Sequence, residues 1–190
     1  MVGSDHVLNR WSGYEPTTDR VRVALLQLYA EDGRAPSTGM LAERAGLSEA
    51  VIPPLLEELC RRDLVVLSGG RIIGAYPFTD RDTDHRVTLD GRVLNAMCAV
   101  DALGIGAMTD RDVVIASRCR HCGAPIRIAT RDDGRGLSHV EPRTSVMWQS
   151  VHYEGWCAAN SLCAATDSSV RTTISPLGAV SVPRTRRVFG

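Results

Sequence analysis

A chain of 190 residues with 44% hydrophobic and 23% charged side chains suits one globular domain, or a small module followed by a larger one. Its 22 basic and 22 acidic residues cancel, which removes any general pull toward nucleic acid or an anionic membrane. No apolar run approaches the roughly 18 residues of a membrane span, and the N-terminus lacks the pattern of a secretion signal, so a cytoplasmic protein is expected.

Residues 1–18 are polar and broken by Gly13 and Pro16, which predicts a loose arm docking through Trp11 and Tyr14. Val21, Val23, Leu25, Leu26, Leu28 and Tyr29 predict a helix over 19–31 with a wide apolar face. A turn at 33–36 follows, and Ser37 or Thr38 can cap a short helix through Ala45. Ser48 caps a third helix over 49–62, with Pro53 and Pro54 tolerated in its first turn. Residues 64–67 and 71–73, joined by Ser68-Gly69-Gly70, predict a hairpin. Three helices and a hairpin make a winged-helix-like module over 19–76. Its candidate recognition helix opens on Ser48-Glu49-Ala50-Val51, acidic and apolar where a base reader needs Arg, Lys, Asn or Gln. The module therefore reads as structural, and nucleic acid is not the expected partner.

The polar stretch 76–87 predicts a connection or an edge strand. Asp90 is expected to cap a helix carrying Cys98 and Asp101 and ending near 104–106. Strands are predicted at 113–117, 125–130, 137–140, 144–148 and 179–182, with a turn and short helix over 155–163. The fold class is α+β: a winged-helix-like module followed by a mixed-sheet domain over 77–190.

Six cysteines (Cys60, Cys98, Cys119, Cys122, Cys157 and Cys163) in a reducing compartment read as thiols for metal binding or chemistry. Cys98 stands three residues before Asp101 in an almost wholly apolar run, and on a helix such residues share a face. A thiol beside a carboxyl pairs a nucleophile or soft-metal ligand with a proton carrier; the plainer alternative is a core cysteine near an ion-paired Asp. Cys119-Arg120-His121-Cys122-Gly123 has the turn of a zinc knuckle, but the second half of a four-ligand site is missing. Two ordinary thiols in a turn are the plainer reading there. Cys157 follows Trp156 at an element start, as an exposed thiol or a small buried hydrophobe.

Several of these runs, in order, resemble the alkylmercury lyase family. They are Gly70-Arg71-Ile72-Ile73-Gly74, Leu89-Asp90-Gly91-Arg92-Val93-Leu94 and Cys98-Ala99-Val100-Asp101-Ala102-Leu103. Ser117-Arg118-Cys119, Gly123-Ala124-Pro125-Ile126, Val140-Glu141-Pro142, an aromatic before Cys157 and Val180-Ser181-Val182 continue the series. The resemblance covers about residues 20–182 and implies the α+β fold of that family. It implies protonolysis of a carbon–mercury bond with no bound cofactor, giving a hydrocarbon and Hg(II).

Carried over by position, the resemblance makes Cys98 and Cys157 the thiols that hold mercury, Asp101 the proton carrier, and Cys119 a structural cysteine. It implies a small-molecule substrate, an external thiol that removes the product, and a thiol or mercuric-ion-accepting protein as partner. Cys119, Cys122 and Cys163 remain alternative thiols for metal. The chain departs from the family pattern after Cys157, where a His- and Phe-rich continuation is absent, and at Met97, which stands where the family has an aromatic. Two rival functions remain: a lyase or hydrolase acting on a metabolite through Cys98 and Asp101, and a cysteine-based metal-binding or metal-sensing protein.

Overall fold

The computed structural model describes residues 13, 15–149, 163 and 166–170. Trp11, Tyr14 and Cys157, the turn and short helix expected over 155–163 (Cys163 apart), and the strand expected at 179–182 lie outside the described residues.

The chain starts with helix α1 (Pro16–Asp32), three residues earlier than expected. Pro16 supplies a preset φ where no N–H is needed, so the helix starts there, and Thr18 is already buried. Ser37 caps α2 (Thr38–Ala45) by accepting the Met40 N–H at 3.2 Å. A 3-10 turn (Glu49–Val51) leads into α3 (Ile52–Arg61), whose Pro53 and Pro54 fall in the first turn. Strands β1 (Val65–Ser68), β2 (Arg71–Ala75) and β3 (Phe78–Thr79) then form a three-stranded antiparallel sheet.

A second antiparallel sheet has the order β5-β4-β6-β7-β8, from β4 (His85–Leu89), β5 (Arg92–Asn95), β6 (Val114–Arg118), β7 (Pro125–Arg131) and β8 (Gly136–Glu141). Strands β9 (Ser145–Gln149) and β10 (Thr166–Val170) pair separately and antiparallel. Helix α4 (Ala99–Thr109) packs against β4, β6 and β10.

Several expectations are corrected here. Every strand pair among the described residues is antiparallel, so the expected mixed sheet is not found. Ser48 makes no side-chain cap bond, and the third α-helix starts only at Ile52. Asp90 does not cap the helix: Asp90 and Gly91, both at positive φ, form the two-residue turn of the β4–β5 hairpin. That pair of left-handed residues matches the twist of flanking strands, so the segment before Cys98 is strand, and α4 starts only at Ala99. The stretch 76–87 is likewise more than an edge: β4 lies inside the sheet, between β5 and β6.

Apolar alternation explains the packing. Val87 and Leu89 of β4, Ile115 of β6 and Ile126 of β7 are buried, while Arg86, Ala116 and Arg127 between them are exposed. Val87, Leu89 and Ile115 share one core with Ala102 and Ile105 of α4, and that core runs on through Leu94 and Phe78 to Tyr29, Leu41 and Leu59. Tyr29 stacks on Phe78 with ring centroids 5.5 Å apart, joining α1 to the strands that lead to the site.

The far end of α4 is fixed by a glycine–glycine contact. Gly134, at φ 78° in the β7–β8 turn, lies so close to α4 that a Cβ there would sit 2.1 Å from the Gly106 carbonyl carbon. Gly134→Ala must push the turn off the helix and strain a left-handed backbone. It should cost roughly 1–3 kcal/mol, read as a lower urea midpoint; an unchanged midpoint would refute the contact.

Candidate active site

Cys98 is fixed from both sides before the helix begins. Ala96 donates its N–H to the His85 carbonyl at 2.9 Å, and its own carbonyl accepts the Thr83 hydroxyl at 2.8 Å. Met97 donates to the Pro77 carbonyl at 3.0 Å. Cys98 then takes an extended backbone (φ −155°, ψ 178°) as the N-cap of α4, and its carbonyl accepts the Ala102 N–H.

This makes a sulfur version of the capping box. The Cys98 Sγ accepts the backbone N–H of Asp101 at 3.5 Å, as an N-cap side chain does for the third helical residue. Asp101 answers not through the cap backbone but through the thiol, accepting from Cys98 Sγ at Oδ2 over 3.0 Å. The expected adjacency of the two residues holds, but it arises from the cap and not from a shared helix face.

A third group joins them. Cys163, three residues before β10, lies within hydrogen-bond reach of the same Asp101 Oδ2, at 3.5 Å. The ligand atoms of Cys98, Asp101 and Cys163 all lie within 4.8 Å of one another. Among the described residues no other cluster brings together three such ligands. Cys98 is 4% and Cys163 7% exposed. The structure thus brings Cys98 and Asp101 together as expected and adds Cys163, which the sequence offered only as an alternative thiol. The family resemblance pointed to Cys157 as the second thiol, and Cys157 lies outside the described residues.

Burial raises the Asp101 carboxyl above the ordinary carboxylate range, against the opposing pull of hydrogen bonds from Cys98 and Cys163. The Cys163 thiol is pushed well above its ordinary value by its hydrogen bond with Cys98, by burial and by the Asp101 charge. Cys163 is therefore a neutral thiol at rest, beside a carboxyl whose neutral form is favoured by burial.

The strand after Cys163 is tied to the sheet by a buried polar chain. His85 Nδ1 and Ser117 Oγ, a cross-strand pair of β4 and β6, are 3.0 Å apart, and His85 Nε2 lies 4.0 Å from Asp167 Oδ1 on β10. Asp167 also accepts from Arg120 at 2.6 Å. Burial lowers the His85 pKa, with Asp167 and Asp84 pulling the other way. A lowered value means the unfolded chain takes the proton first, so His85 removes stability as pH falls below its unfolded value of about 6.5. Wild type should therefore lose more thermal stability than His85→Gln between pH 7 and 5. Parallel losses in the two proteins would contradict this.

Cys119 and Cys122 lie apart from the trio's ligand set. Cys119 is buried at the end of β6, its sulfur accepting the Val170 N–H at 3.3 Å and lying 3.7 Å from Ser169 Oγ, while Cys122 is exposed. Burial opposes ionisation of Cys119, but N–H groups of Val170, Cys122 and His121 and the Ser169 hydroxyl outweigh it and bring the thiol down to about 6.

The family model of alkylmercury lyase (MerB) matches residues 78–170, the span that carries the whole trio. Over those residues the chain is similar to the alkylmercury lyase family. The alkylmercury lyase of Staphylococcus epidermidis is 36% identical over 123 residues, covering 65% of this chain and 54% of the relative. That of Bacillus cereus is 40% identical over 78 residues, 41% of this chain and 34% of the relative. The chain thus matches about half or less of the length of these alkylmercury lyases. A crystal structure of the mercury-bound form of MerB2 is similar with a TM-score of 0.70 and 23% identity, covering 87% of this chain and 78% of that one. That likeness supports the mixed α+β fold.

Proposed function

We propose that this chain cleaves the carbon–mercury bond of organomercurials by protonolysis, using Cys98, Cys163 and Asp101. One observation carries the reading: two buried thiols share a single carboxylate oxygen within the span that matches the alkylmercury lyase family model. Mercury is soft and takes thiolate ligands in preference to oxygen. Two thiolates on one mercury push electron density onto the bound carbon, and an acid must then protonate that carbon.

The substrate enters as R–Hg–SR′, an organomercurial carried on an external thiol. Asp101 accepts the Cys98 proton across the 3.0 Å contact, and the Cys98 sulfur bonds mercury as R′S⁻ leaves. Cys163 adds the second mercury–sulfur bond, its proton passing to the departing thiolate. Asp101, its neutral form favoured by burial, gives its proton to the carbon as the carbon–mercury bond breaks. The products are R–H, R′SH and Hg(II) held between two cysteine sulfurs, removed by further external thiol or a mercuric-ion-accepting protein. No resident cofactor enters this sequence.

We also read helices α1–α3 with the β1–β2 hairpin as a winged-helix-like module over 19–76 that supports a catalytic domain over 77–190. The shared core from Tyr29 to Ile105 suits a supporting role. Among the described residues no helix is long and apolar enough to cross a membrane, and a cytoplasmic setting is part of this reading. Of the rival functions, the metabolite lyase would use the same Cys98 and Asp101, but the family match favours mercury.

Purified protein incubated with phenylmercuric acetate and excess thiol in D₂O should release benzene carrying one deuterium. Absence of benzene release under these conditions would reject the reading.

A further inference from the structure

The turn 119–123 is unused by the reaction above, yet it is built as half of a metal site. Cys119 closes it with two backbone hydrogen bonds: its carbonyl accepts the Gly123 N–H and its N–H donates to the Ala124 carbonyl, both at 2.8 Å. Gly123 takes a φ of 69°, which lets the chain reverse immediately after Cys122. Cysteines at i and i+3 of such a turn have the spacing of a metal knuckle. N–H groups of His121, Cys122 and Val170 are directed at the Cys119 sulfur, the kind of support that holds a metal-ligating thiolate. A further bond from Arg120 N–H to the Ser168 carbonyl, 3.0 Å, pins the turn to β10.

The ligand count selects the cation. Zinc wants four ligands, but no third Cys, His, Asp or Glu atom forms a cluster with Cys119 and Cys122 among the described residues. A thiophilic cation content with two sulfurs fits. We infer that Cys119 and Cys122 form a second, two-thiol site for Hg(II), separate from the Cys98–Asp101–Cys163 trio. The choice of Hg(II) over other thiophilic cations rests on the proposed lyase reaction, which releases it. Exposed Cys122 meets the cation first and buried Cys119 completes the site. Starting from Hg(SR′)₂, each cysteine sulfur forms one mercury–sulfur bond as one R′S⁻ leaves. The Cys122 proton, and that of Cys119 where it is still held, go to the two departing thiolates, and no electron is transferred.

The test counts mercury that survives competition. Wild type, Cys122→Ser and Cys98→Ser/Cys163→Ser are each loaded with mercuric chloride in a large excess of glutathione, desalted and assayed for bound mercury. Excess monothiol strips single cysteines, and Cys60 and Cys157 are common to all three proteins. The inference expects Cys122→Ser to hold about one mercury fewer than wild type, and the double variant to hold about one, lost when Cys122→Ser is added. Equal retention by wild type and Cys122→Ser overturns it, as does a folded double variant that retains none. Hydrocarbon release is not part of the readout, so failure of the lyase reading would register separately.

Discussion

If the chain is the lyase proposed above, Cys163→Ser should lower carbon–mercury cleavage by about 10³-fold or more, whereas Cys157→Ser should leave it within about twofold of wild type. The asymmetry follows from geometry. Cys163 lies within hydrogen-bond reach of the carboxylate oxygen that takes the Cys98 proton, so mercury on Cys98 has its second sulfur within a few ångströms. Serine in its place leaves one thiolate, and the hydroxyl is a poor ligand for a soft cation. A single thiolate binds R–Hg but does not push enough density onto carbon. Cys163→Ser should therefore still take up organomercurial, with bound substrate retained and hydrocarbon release lost. Arene release by gas chromatography beside protein-bound mercury separates the two steps. Full activity in Cys163→Ser with loss in Cys157→Ser would transfer the role to Cys157.

Asp101→Asn gives the second large effect, a fall in turnover of about 10²–10⁴-fold, the usual range for a positioned proton carrier. Asparagine keeps an oxygen to accept from the thiols but carries no proton to deliver. The same substitution should raise stability at neutral pH. The Asp101 pKa is raised in the folded chain, so the folded state favours the neutral carboxyl, and ionised Asp101 costs stability above its folded value. Asparagine is neutral throughout, so the variant's advantage in melting temperature should grow from pH 4 to 7. In wild type the acid limb of kcat/KM falls as Asp101 gains its proton, at a pH above the ordinary carboxylate range. A variant that is both active and less stable at pH 7 would remove Asp101 from the mechanism.

Local signals in the sequence reached the N-terminal elements with little error. Ser37 has the spacing of a cap and caps; Pro53 and Pro54 fit only a first turn and occupy one. The strands β6 to β9 follow from apolar alternation, within a residue or two of their ends. The segment before Cys98 failed because Leu89-Asp90-Gly91-Arg92 offers two readings. Asp is a good helix cap, but Asp-Gly between Val87, Leu89, Val93 and Leu94 is a stronger hairpin signal. Reading the hairpin first would have made Cys98 the cap of α4.

Cys98 and Asp101 were legible because both lie in one local run of sequence. Cys163 was not, because its closeness to them depends on β10 packing against α4 and β6, a contact across 62 residues. Strand β10 itself, Thr166-Asp167-Ser168-Ser169-Val170, carries too few apolar side chains to announce a strand. Its buried Thr166 and Ser168, and the His85–Asp167 approach, take the place of apolar alternation.

The most direct test is a crystal structure of the protein after one turnover with phenylmercuric acetate. The account predicts a single mercury at the site, bonded to Cys98 Sγ and Cys163 Sγ beside the Asp101 carboxylate, with no phenyl group attached. Mercury bridging Cys98 to Cys157, or still carrying its phenyl group, would contradict it.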